Sequence, residues 1–223
     1  MINIAIDGPA GAGKSTIAKA VSKRLDIIYL DTGAMYRTVA FKAIKEGIGC
    51  LERGKLSEIV SNINMKIEFL DNEQCMILDN EDVTELIRTP EISIGASNVA
   101  VIPEVRIKMV ELQRKFASEN DVVMEGRDIG TYVLPDATVK IFLTASIEER
   151  AARRYKQLVD KGDPKISLDG VIKDIEFRDK NDSSRNFAPL IKAKDAIEID
   201  TTFLSIEQVV DKIIQNVRES INY

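Results

Sequence analysis

Near its N-terminus the chain reads Gly8-Pro9-Ala10-Gly11-Ala12-Gly13-Lys14-Ser15-Thr16. This stretch matches the pattern G-x-x-x-x-G-K-[ST], which forms a phosphate-binding loop between a strand and a helix. Glycines let the backbone curl so that successive N–H groups converge on phosphate oxygens, and the helix that follows points its positive end at the same place. We therefore predict that all of these residues contact a nucleoside triphosphate, ATP or GTP.

Two side chains of the loop have separate predicted roles. Lys14 would place a mobile cation on the β- and γ-phosphates, which makes it a catalytic candidate, and Ser15 would offer its hydroxyl to Mg²⁺. A chance glycine-rich turn is the alternative, and it arises at roughly the 1% level in a chain of this size. The motif does not identify the acceptor of the phosphoryl group.

Strand-like and helix-like segments alternate around the loop. Ile2 to Asp7 has the pattern of a buried strand, and Lys14 to Leu25 has an apolar stripe at helical spacing. Further strands are predicted at about 27–30, 122–124, 139–143 and 196–199, and further helices at about 34–46, 90–101, 103–118, 147–159 and 167–182. This alternation predicts an α/β fold: a P-loop parallel sheet flanked by helices, with ligands beyond the carboxyl ends of its strands.

Two stretches depart from the alternation. Residues 62–83 contain a period-two run, a turn signal and a second apolar run, which predicts a small antiparallel β insert. Residues 158–170 are rich in turn formers and are the candidate for a short lid. The remaining residues, 1–61 and 84–223, are expected to form one core. Ser146 with Glu149, and Ser205 with Gln208, have the spacing of helix capping boxes.

The composition excludes several classes of function. A net charge of −5 and a pI of about 5.1 disfavour binding to a nucleic acid polymer. Histidine is absent, which excludes a Ser-His-Asp mechanism. The two cysteines, Cys50 and Cys75, are too few for a disulfide scaffold. We find neither an export signal nor an apolar run of about 20 residues, so we expect no membrane partner and a cytoplasmic location.

Arginines and carboxylates recur where such a fold would bind a second substrate. Arg127 and Asp128 follow a predicted strand between Gly126 and Gly130, where the backbone can approach a ligand closely. One helix that continued past residue 182 would place three charged residues on the same face: Arg178, Asp182 and Arg185. Convergent arginines suit phosphoryl transfer, which needs positioning and charge neutralisation more than covalent chemistry.

A second arginine cluster lies before the turn-rich break. It comprises Arg150, Arg153 and Arg154. A solvated helix face explains this cluster about equally well as a role in binding phosphate.

Taken together, these stretches resemble the bacterial cytidylate kinases over nearly the whole chain. The most specific ones are Leu30-Asp-Thr-Gly-Ala-Met-Tyr-Arg37 and Gly126-Arg-Asp-Ile-Gly-Thr131. The resemblance implies a nucleoside-monophosphate-kinase fold in which the insert binds the acceptor and the lid is mobile. It also implies transfer of the γ-phosphoryl of ATP, with Mg²⁺, to CMP or dCMP, and it leads us to expect a monomer.

The resemblance also implies roles for individual residues. Thr32 and Asp128 would accept from the exocyclic amine of cytosine, and Arg106 would donate to the ring. Asp182 and Arg185 would contact the sugar. The acceptor phosphate would be bound by Tyr36, Arg37, Arg127 and Arg178. Lid arginines, Arg150 and Arg154 with Arg153 as a weaker candidate, would reach the transferring phosphate. Of these, Arg127, Arg178, Arg150 and Arg154 are the catalytic candidates beside Lys14.

Three alternatives stay open at this level. The first is a kinase of the same fold that acts on another nucleotide or on a polyol acid such as shikimate. The second is a nucleotide-dependent switch or binding protein with slow hydrolysis. The third is a structural domain with a degenerate loop, which the intact Lys14 and Ser15 disfavour.

Overall fold

A computed structural model of the chain describes residues 1–71, 73–160 and 166–221. The central sheet has five parallel strands: β1 Asn3–Asp7, β2 Ile28–Asp31, β6 Val122–Gly126, β7 Val139–Thr144 and β8 Ile197–Asp200. Their order in the sheet is β2-β6-β1-β7-β8. β1 is the middle strand, so the loop that follows it begins at the centre of the carboxyl edge. The predicted α/β class is confirmed.

Helices cover both faces of this sheet. They are α1 Lys14–Leu25, α2 Thr32–Lys45, α3 Arg53–Asn62, α4 Pro90–Val99, α5 Pro103–Glu119, α6 Ile147–Asp160, α7 Leu168–Ser183 and α8 Ile206–Ile221. Ile4 and Ile6 of β1 are fully buried against α1 and α8, whereas Ala5 faces α5 on the other side. Each buried isoleucine stabilises the sheet by about 1.5–3 kcal/mol.

The predicted insert is a three-stranded antiparallel sheet made of β3 Met65–Leu70, β4 Glu73–Leu78 and β5 Glu81–Asp82. Gln74, Met76 and Leu78 of β4 face inward, as the period of two requires. Gln74 also joins the insert to the main sheet. Its Oε1 accepts from the backbone N–H of Asp31 at 2.8 Å, and its Nε2 donates to the Asp31 carbonyl at 3.3 Å.

Three helical elements were not predicted from the sequence: α3, a short 3-10 helix at Leu86–Arg88 and a π-helical turn. Helix α3 contains Gly54, lacks a side-chain N-cap and buries only Leu56, Ile59 and Val60, so its local signal is weak and its packing on α2 and α5 stabilises it. A single π-helical turn, Ile129–Val133, follows β6 directly. It is held by side chains that are distant in sequence.

The capping predictions had different outcomes. At α8 both bonds form, from the Gln208 N–H to Ser205 Oγ at 3.2 Å and from the Ser205 N–H to Gln208 Oε1 at 2.8 Å. At α6 only the Glu149 N–H to Ser146 Oγ bond forms, at 3.2 Å. The Glu149 carboxylate instead accepts from Arg153 Nε at 2.9 Å, because that guanidinium lies one helical turn away.

The predicted lid at 158–170 falls partly on residues 161–165, which lie outside the described residues. Around them, α6 ends at Asp160 and α7 begins at Leu168. The hydroxyl of Ser167 caps α7 by accepting from the Gly170 N–H at 3.1 Å. The lid therefore stays a prediction.

Candidate active site

The glycine-rich loop has the backbone shape of a phosphate cradle. Gly8, Gly11 and Gly13 have φ values of 150°, 76° and 89°, a region that side-chain-bearing residues rarely adopt. A Cβ atom on Gly8 would lie 2.1 Å from the carbonyl oxygen of Leu143 on the neighbouring strand β7. Gly13 is the N-cap of α1, so the loop runs directly into the positive end of that helix.

Lys14 is folded into the loop. Its Nζ donates to the carbonyl oxygen of Pro9 at 2.8 Å, and the residue is buried. Burial, together with the positive charge of Arg127, lowers the pKa of Lys14 to about 7. A bound phosphate would favour the ammonium form, so this lysine is prepared to gain charge when an anion enters the loop.

The outer side of the loop is tied to α6 and α7. The Asp179 carboxylate accepts from the Ala10 N–H at 3.0 Å and from Arg150 Nη1 at 2.5 Å. Arg150 also donates to the Ala10 carbonyl at 2.9 Å and to the Ala145 carbonyl at 3.1 Å. The structure thus places Arg150 as a brace on the loop backbone, with its predicted part in catalysis still a prediction.

The other loop residues predicted to bind nucleotide, Pro9, Ala10 and Ala12, lie between β1 and α1. Ser15 and Thr16 are exposed at the start of α1. Nearby, the Tyr29 hydroxyl donates to Glu125 Oε1 at 2.6 Å, and burial together with this carboxylate raises the pKa of Tyr29. Glu125 therefore brings a buried carboxylate from the end of β6 to the neighbourhood of the loop.

Asp7 is the last residue of β1, directly before the loop. Its carboxylate accepts from the backbone N–H of Ile129 at 2.8 Å and of Gly130 at 2.7 Å. Burial raises the pKa of Asp7 to about 7, although both N–H groups favour the ionised form. Asp7 is the link between the end of β1 and the π-helical turn.

Two of the three predicted base-reading residues form a buried ion pair, and the third, Thr32, is hydrogen-bonded to the end of β6. The Arg106 guanidinium of α5 pairs with the Asp128 carboxylate and lies 5.6 Å from the centre of the Tyr36 ring. Arg106 is 1% exposed and Asp128 is 4% exposed. Thr32, at the start of α2, donates its hydroxyl to the Glu125 carbonyl at 2.6 Å, which leaves the hydroxyl oxygen able to accept. Burial raises the pKa of Tyr36 to about 12, so its phenol is neutral.

A second cluster centres on Asp182 of α7. Arg127 Nε donates to Asp182 Oδ2 at 2.6 Å, and Arg185 Nη2 lies 3.1 Å from Asp182 Oδ1. Burial alone would favour the neutral acid, but the two guanidinium groups lower the pKa of Asp182 below its usual range. Burial and the proximity of Arg127 lower the pKa of Arg178, so positive charge is crowded at this point.

Arg178, Asp182 and Arg185 do not share one continuous helix face, because the helix that was predicted to end near residue 182 does not continue past this region. Helix α7 ends at Ser183, and Arg185 lies beyond it. The carbonyl of Asp182 accepts instead from Arg185 Nε at 3.1 Å and from the Leu190 N–H at 2.8 Å. These two donors replace the next helical turn, yet they still bring Arg185 back to the cluster.

Several guanidinium groups at this edge keep an unused donor. Arg37 Nη2 donates to Asp31 Oδ2 at 2.7 Å, and this pairing offsets burial and lowers the pKa of Asp31. Within the described part of the chain, four buried Nε atoms have no hydrogen-bond partner: those of Arg37, Arg106, Arg154 and Arg178. Buried N–H groups normally have partners, so an anion bound among these arginines would supply the missing acceptors.

Comparison with known proteins agrees with this geometry. The family model described as "Cytidylate kinase" matches residues 4–219. A curated cytidylate kinase of Clostridioides difficile is 53% identical over 96% of this chain and 97% of its own length. One from Caldicellulosiruptor bescii is 51% identical over 96% of this chain and 94% of its own length.

The chain belongs to the cytidylate kinase family. It is therefore a kinase that acts on CMP, and the alternatives of a switch protein and of a degenerate structural domain are not supported.

Among solved structures, an uncharacterized protein from Eubacterium ventriosum has a TM-score of 0.55 at 14% identity and covers 98% of this chain and 99% of its own. A gluconokinase from Sinorhizobium meliloti has a TM-score of 0.50 at 12% identity, covering 99% and 94%. These two similarities concern the fold.

For this cytidylate kinase, sequence reasoning missed the carboxylates that organise the site. Asp7, Asp31 and Asp179 each hold a backbone N–H group or an arginine of the site. For Asp7 and Asp31 a signal was present, because each ends a strand at the carboxyl edge of the sheet. Asp179 gave no such signal, since it is one of several charged residues on α7.

No membrane-spanning helix is found within the described ranges, because none combines the required length with sufficient hydropathy. The two cysteines are both free thiols.

Proposed function

We propose that this cytidylate kinase transfers the γ-phosphoryl of ATP to CMP and also to dCMP, releasing ADP. The observation that carries the proposal is the set of unused guanidinium donors between the phosphate loop and the buried Arg106–Asp128 pair. A nucleoside monophosphate fits this arrangement, with its base at Asp128 and its phosphate among the arginines. The phosphate would thereby lie next to the loop that holds the donor.

The chemistry of the pocket supports cytosine as the base. Thr32 and Asp128 present oxygen acceptors, which suit the exocyclic amine of cytosine, while Arg106 offers donors to the ring nitrogen and carbonyl. Uracil has a carbonyl where cytosine has the amine, so it would face these acceptors without a partner. Such a mismatch in a buried site costs far more than the loss of a simple apolar contact.

The phosphate-binding proposal rests on positive charge. Arg37, Arg127 and Arg178 lie on α2, after β6 and on α7, and Tyr36 offers a neutral phenol beside them. Burial lowers the pKa of Arg154 on α6, and the nearby charges of Asp174 and Arg37 act on it in opposite directions. Asp182 and Arg185 would contact the sugar. Arg150 would take part directly only if it exchanged its contact with Asp179 for the transferring phosphate.

The described residues fit a magnesium ion held mainly by nucleotide phosphates. Among those residues no group of three or more His, Cys, Asp or Glu side chains that could hold a metal ion is found. The Ser15 hydroxyl and, through water, the Glu125 carboxylate would supply the few protein ligands that Mg²⁺ takes beside phosphates. When bound, the ion would neutralise charge on the β- and γ-phosphates.

The residues then perform positioning rather than acid–base catalysis. Lys14 would leave the Pro9 carbonyl and donate to the phosphates as it gains its proton. The arginines would hold the CMP phosphate in line with the γ-phosphorus. A phosphate monoester loses its second proton near pH 6, so the nucleophile is already an anion and needs no general base.

The test is ADP formation from Mg-ATP with one acceptor at a time: CMP, dCMP, UMP, AMP, GMP and shikimate. A reaction without acceptor is the control. We expect rapid turnover with CMP and dCMP and at least a hundred-fold lower kcat/KM with UMP, on the order expected for an unpaired buried polar group. Equal turnover with UMP would contradict the assignment of Asp128 and Arg106 as base readers.

A further inference from the structure

The π-helical turn Ile129–Val133 joins the phosphate loop to the base-reading residue. Asp128 is its N-cap, and the Asp128 carbonyl accepts from the N–H groups of Tyr132 at 2.9 Å and Val133 at 3.1 Å. Any rotation of the turn would therefore move the Asp128 backbone and the carboxylate attached to it. The turn is held at both ends by side chains from other elements.

We propose that Asp7 and Arg114 are positioning residues that hold this turn and so determine how strictly the enzyme separates cytosine from uracil nucleotides. The inference rests on the proposed function, in which Asp128 reads the base. Neither residue would touch the acceptor. Both act through the geometry of Asp128.

At the N-terminal end, Asp7 is the residue that holds the turn. Its two carboxylate oxygens each accept from one N–H group, those of Ile129 and Gly130. All three residues are buried, so neither N–H group has water as an easy substitute. A Cβ atom on Gly130 would lie 3.2 Å from Cδ of Lys140 and would be in ordinary contact with Asp7 Oδ2 at 3.4 Å. Because Asp7 directly precedes Gly8, the phosphate loop and the turn share one anchor.

At the C-terminal end, Arg114 of α5 binds the carbonyl groups that the turn leaves free. Its Nη2 donates to the Tyr132 carbonyl at 2.6 Å and its Nε to the Val133 carbonyl at 2.9 Å. The guanidinium also lies 5.4 Å from the centre of the Tyr132 ring. Tyr132 in turn packs edge-on against Phe187, with ring centres 4.8 Å apart. This second anchor lies at the opposite end of the turn from the phosphate loop.

Two anchors matter because a single turn has little intrinsic stability. π-Helical geometry is rare, and functional sites are where it is mostly found. Discrimination between an amine and a carbonyl depends on an acceptor held at hydrogen-bonding distance, so a looser Asp128 could move away from uracil O4 and reduce the penalty. The expected consequence is a loss of selectivity larger than the loss of donor binding.

The experiment compares kcat/KM for CMP and for UMP in three variants, together with the Kd for ATP measured without acceptor. Asp7→Asn keeps the shape but turns an NH₂ group toward one N–H of the turn. Arg114→Met keeps the apolar stem and removes both donors. Lys108→Met is the matched control, because its ammonium pairs with Glu111 on the surface of the same helix.

We expect the CMP-to-UMP ratio of kcat/KM to fall about ten-fold in Asp7→Asn and about three-fold in Arg114→Met, since one of two buried acceptors is replaced by a donor in the first and a partly exposed donor pair is lost in the second. The ratio should stay unchanged in Lys108→Met, and the Kd for ATP should stay within about two-fold in Arg114→Met. If Asp7→Asn does not fold, the proposal is tested by Arg114→Met alone.

An unchanged ratio in folded Arg114→Met would overturn the proposal, even if both rates fall together, because a merely structural role predicts that pattern. Failure of the proposed function would look different. Wild-type enzyme would then use UMP as readily as CMP, and the positioning proposal would fall with it.

Discussion

The phosphate loop and the acceptor pocket meet at one edge of the sheet, but they are built in opposite ways. In the loop, nearby backbone groups and a few bracing side chains satisfy one another, as in the contact of Lys14 with the Pro9 carbonyl. The pocket is assembled from long side chains on α2, α5 and α7, and among the described residues several of its guanidinium groups keep unused donors. The polar groups of the loop thus pair with one another, whereas the pocket keeps donors that an anion would satisfy.

This difference predicts that variants will separate donor binding from acceptor binding. Each of the following four predictions tests whether a change in one region alters the binding of the donor, of the acceptor or of both. They are ordered by the size of the expected effect.

The largest effect is expected for Lys14→Ala. Removal of a preorganised cation from the transferring phosphates should lower kcat by about a thousand-fold, or about 4 kcal/mol of transition-state stabilisation. The Kd for CMP, measured without ATP, should stay within about two-fold, because the arginines proposed to bind the CMP phosphate lie outside the loop. Near-normal turnover would remove Lys14 from the mechanism.

Arg127→Ala should affect the acceptor side instead. We expect the Kd for CMP to rise about thirty- to one-hundred-fold, because the variant removes a phosphate ligand and leaves Asp182 with one partner fewer. Affinity for ATP should stay close to that of the wild type. An equal loss of ATP affinity would mean that the two regions are not separate.

The third prediction concerns protons. Because the folded-state pKa of Lys14 is lowered to about 7, this side chain is largely neutral at pH 8 and must gain a proton when phosphate favours the ammonium. ATP binding should therefore take up close to one proton at pH 8, and affinity should fall up to about ten-fold per pH unit above 7. Below pH 7 this contribution disappears, since the free lysine is already charged.

Calorimetric titration at pH 8 in two buffers of different ionisation enthalpy measures this uptake directly. Lys14→Met is the control and should take up almost no proton. Uptake that is identical in wild type and Lys14→Met would show that another group titrates.

The smallest effect is expected where the insert joins the sheet. Gln74→Leu removes both bonds to the part-buried Asp31 backbone, so stability should fall by about 1–3 kcal/mol and KM for CMP should rise a few-fold. Glu73→Gln, at the neighbouring position, removes only the exposed ion pair with Lys19 and should change stability by less than about 0.5 kcal/mol.

Thermal unfolding and KM values for CMP and ATP separate the two variants. If Gln74→Leu raises KM for ATP and CMP equally, the insert is coupled to the loop as well as to the pocket.

Much of the fold could be predicted because its signals are local. The period-two run in β3, the apolar stripe of α1 and the prolines that begin α4 and α5 need no distant partner to be recognised. Helix α3 was missed because Gly54 and a short apolar face give it a weak local pattern. Its stability comes from packing against other helices.

The functional site, like the fold, was only partly predictable from the sequence. Arg127 and Asp128 were identified from a motif and Arg106 from the family resemblance, and the structure pairs Arg106 with Asp128 and Arg127 with Asp182. The contact of Arg150 with the Ala10 carbonyl could not be predicted, because it joins residues 140 positions apart in the sequence. Arg185 does not lie on a continued helix face, because the helix ends before it and its Nε donates to the Asp182 carbonyl.

The sequence by itself determined the phosphate loop, the α/β class and the family, because each depends on residues whose conformation or motif is encoded within a few positions. Only the tertiary structure decided which carboxylates hold which arginines, and that Asp7 and Arg114 hold the turn carrying Asp128. The physical reason is that hydrogen bonds between buried groups depend on distance in space. That distance is known only once the strands have been placed side by side.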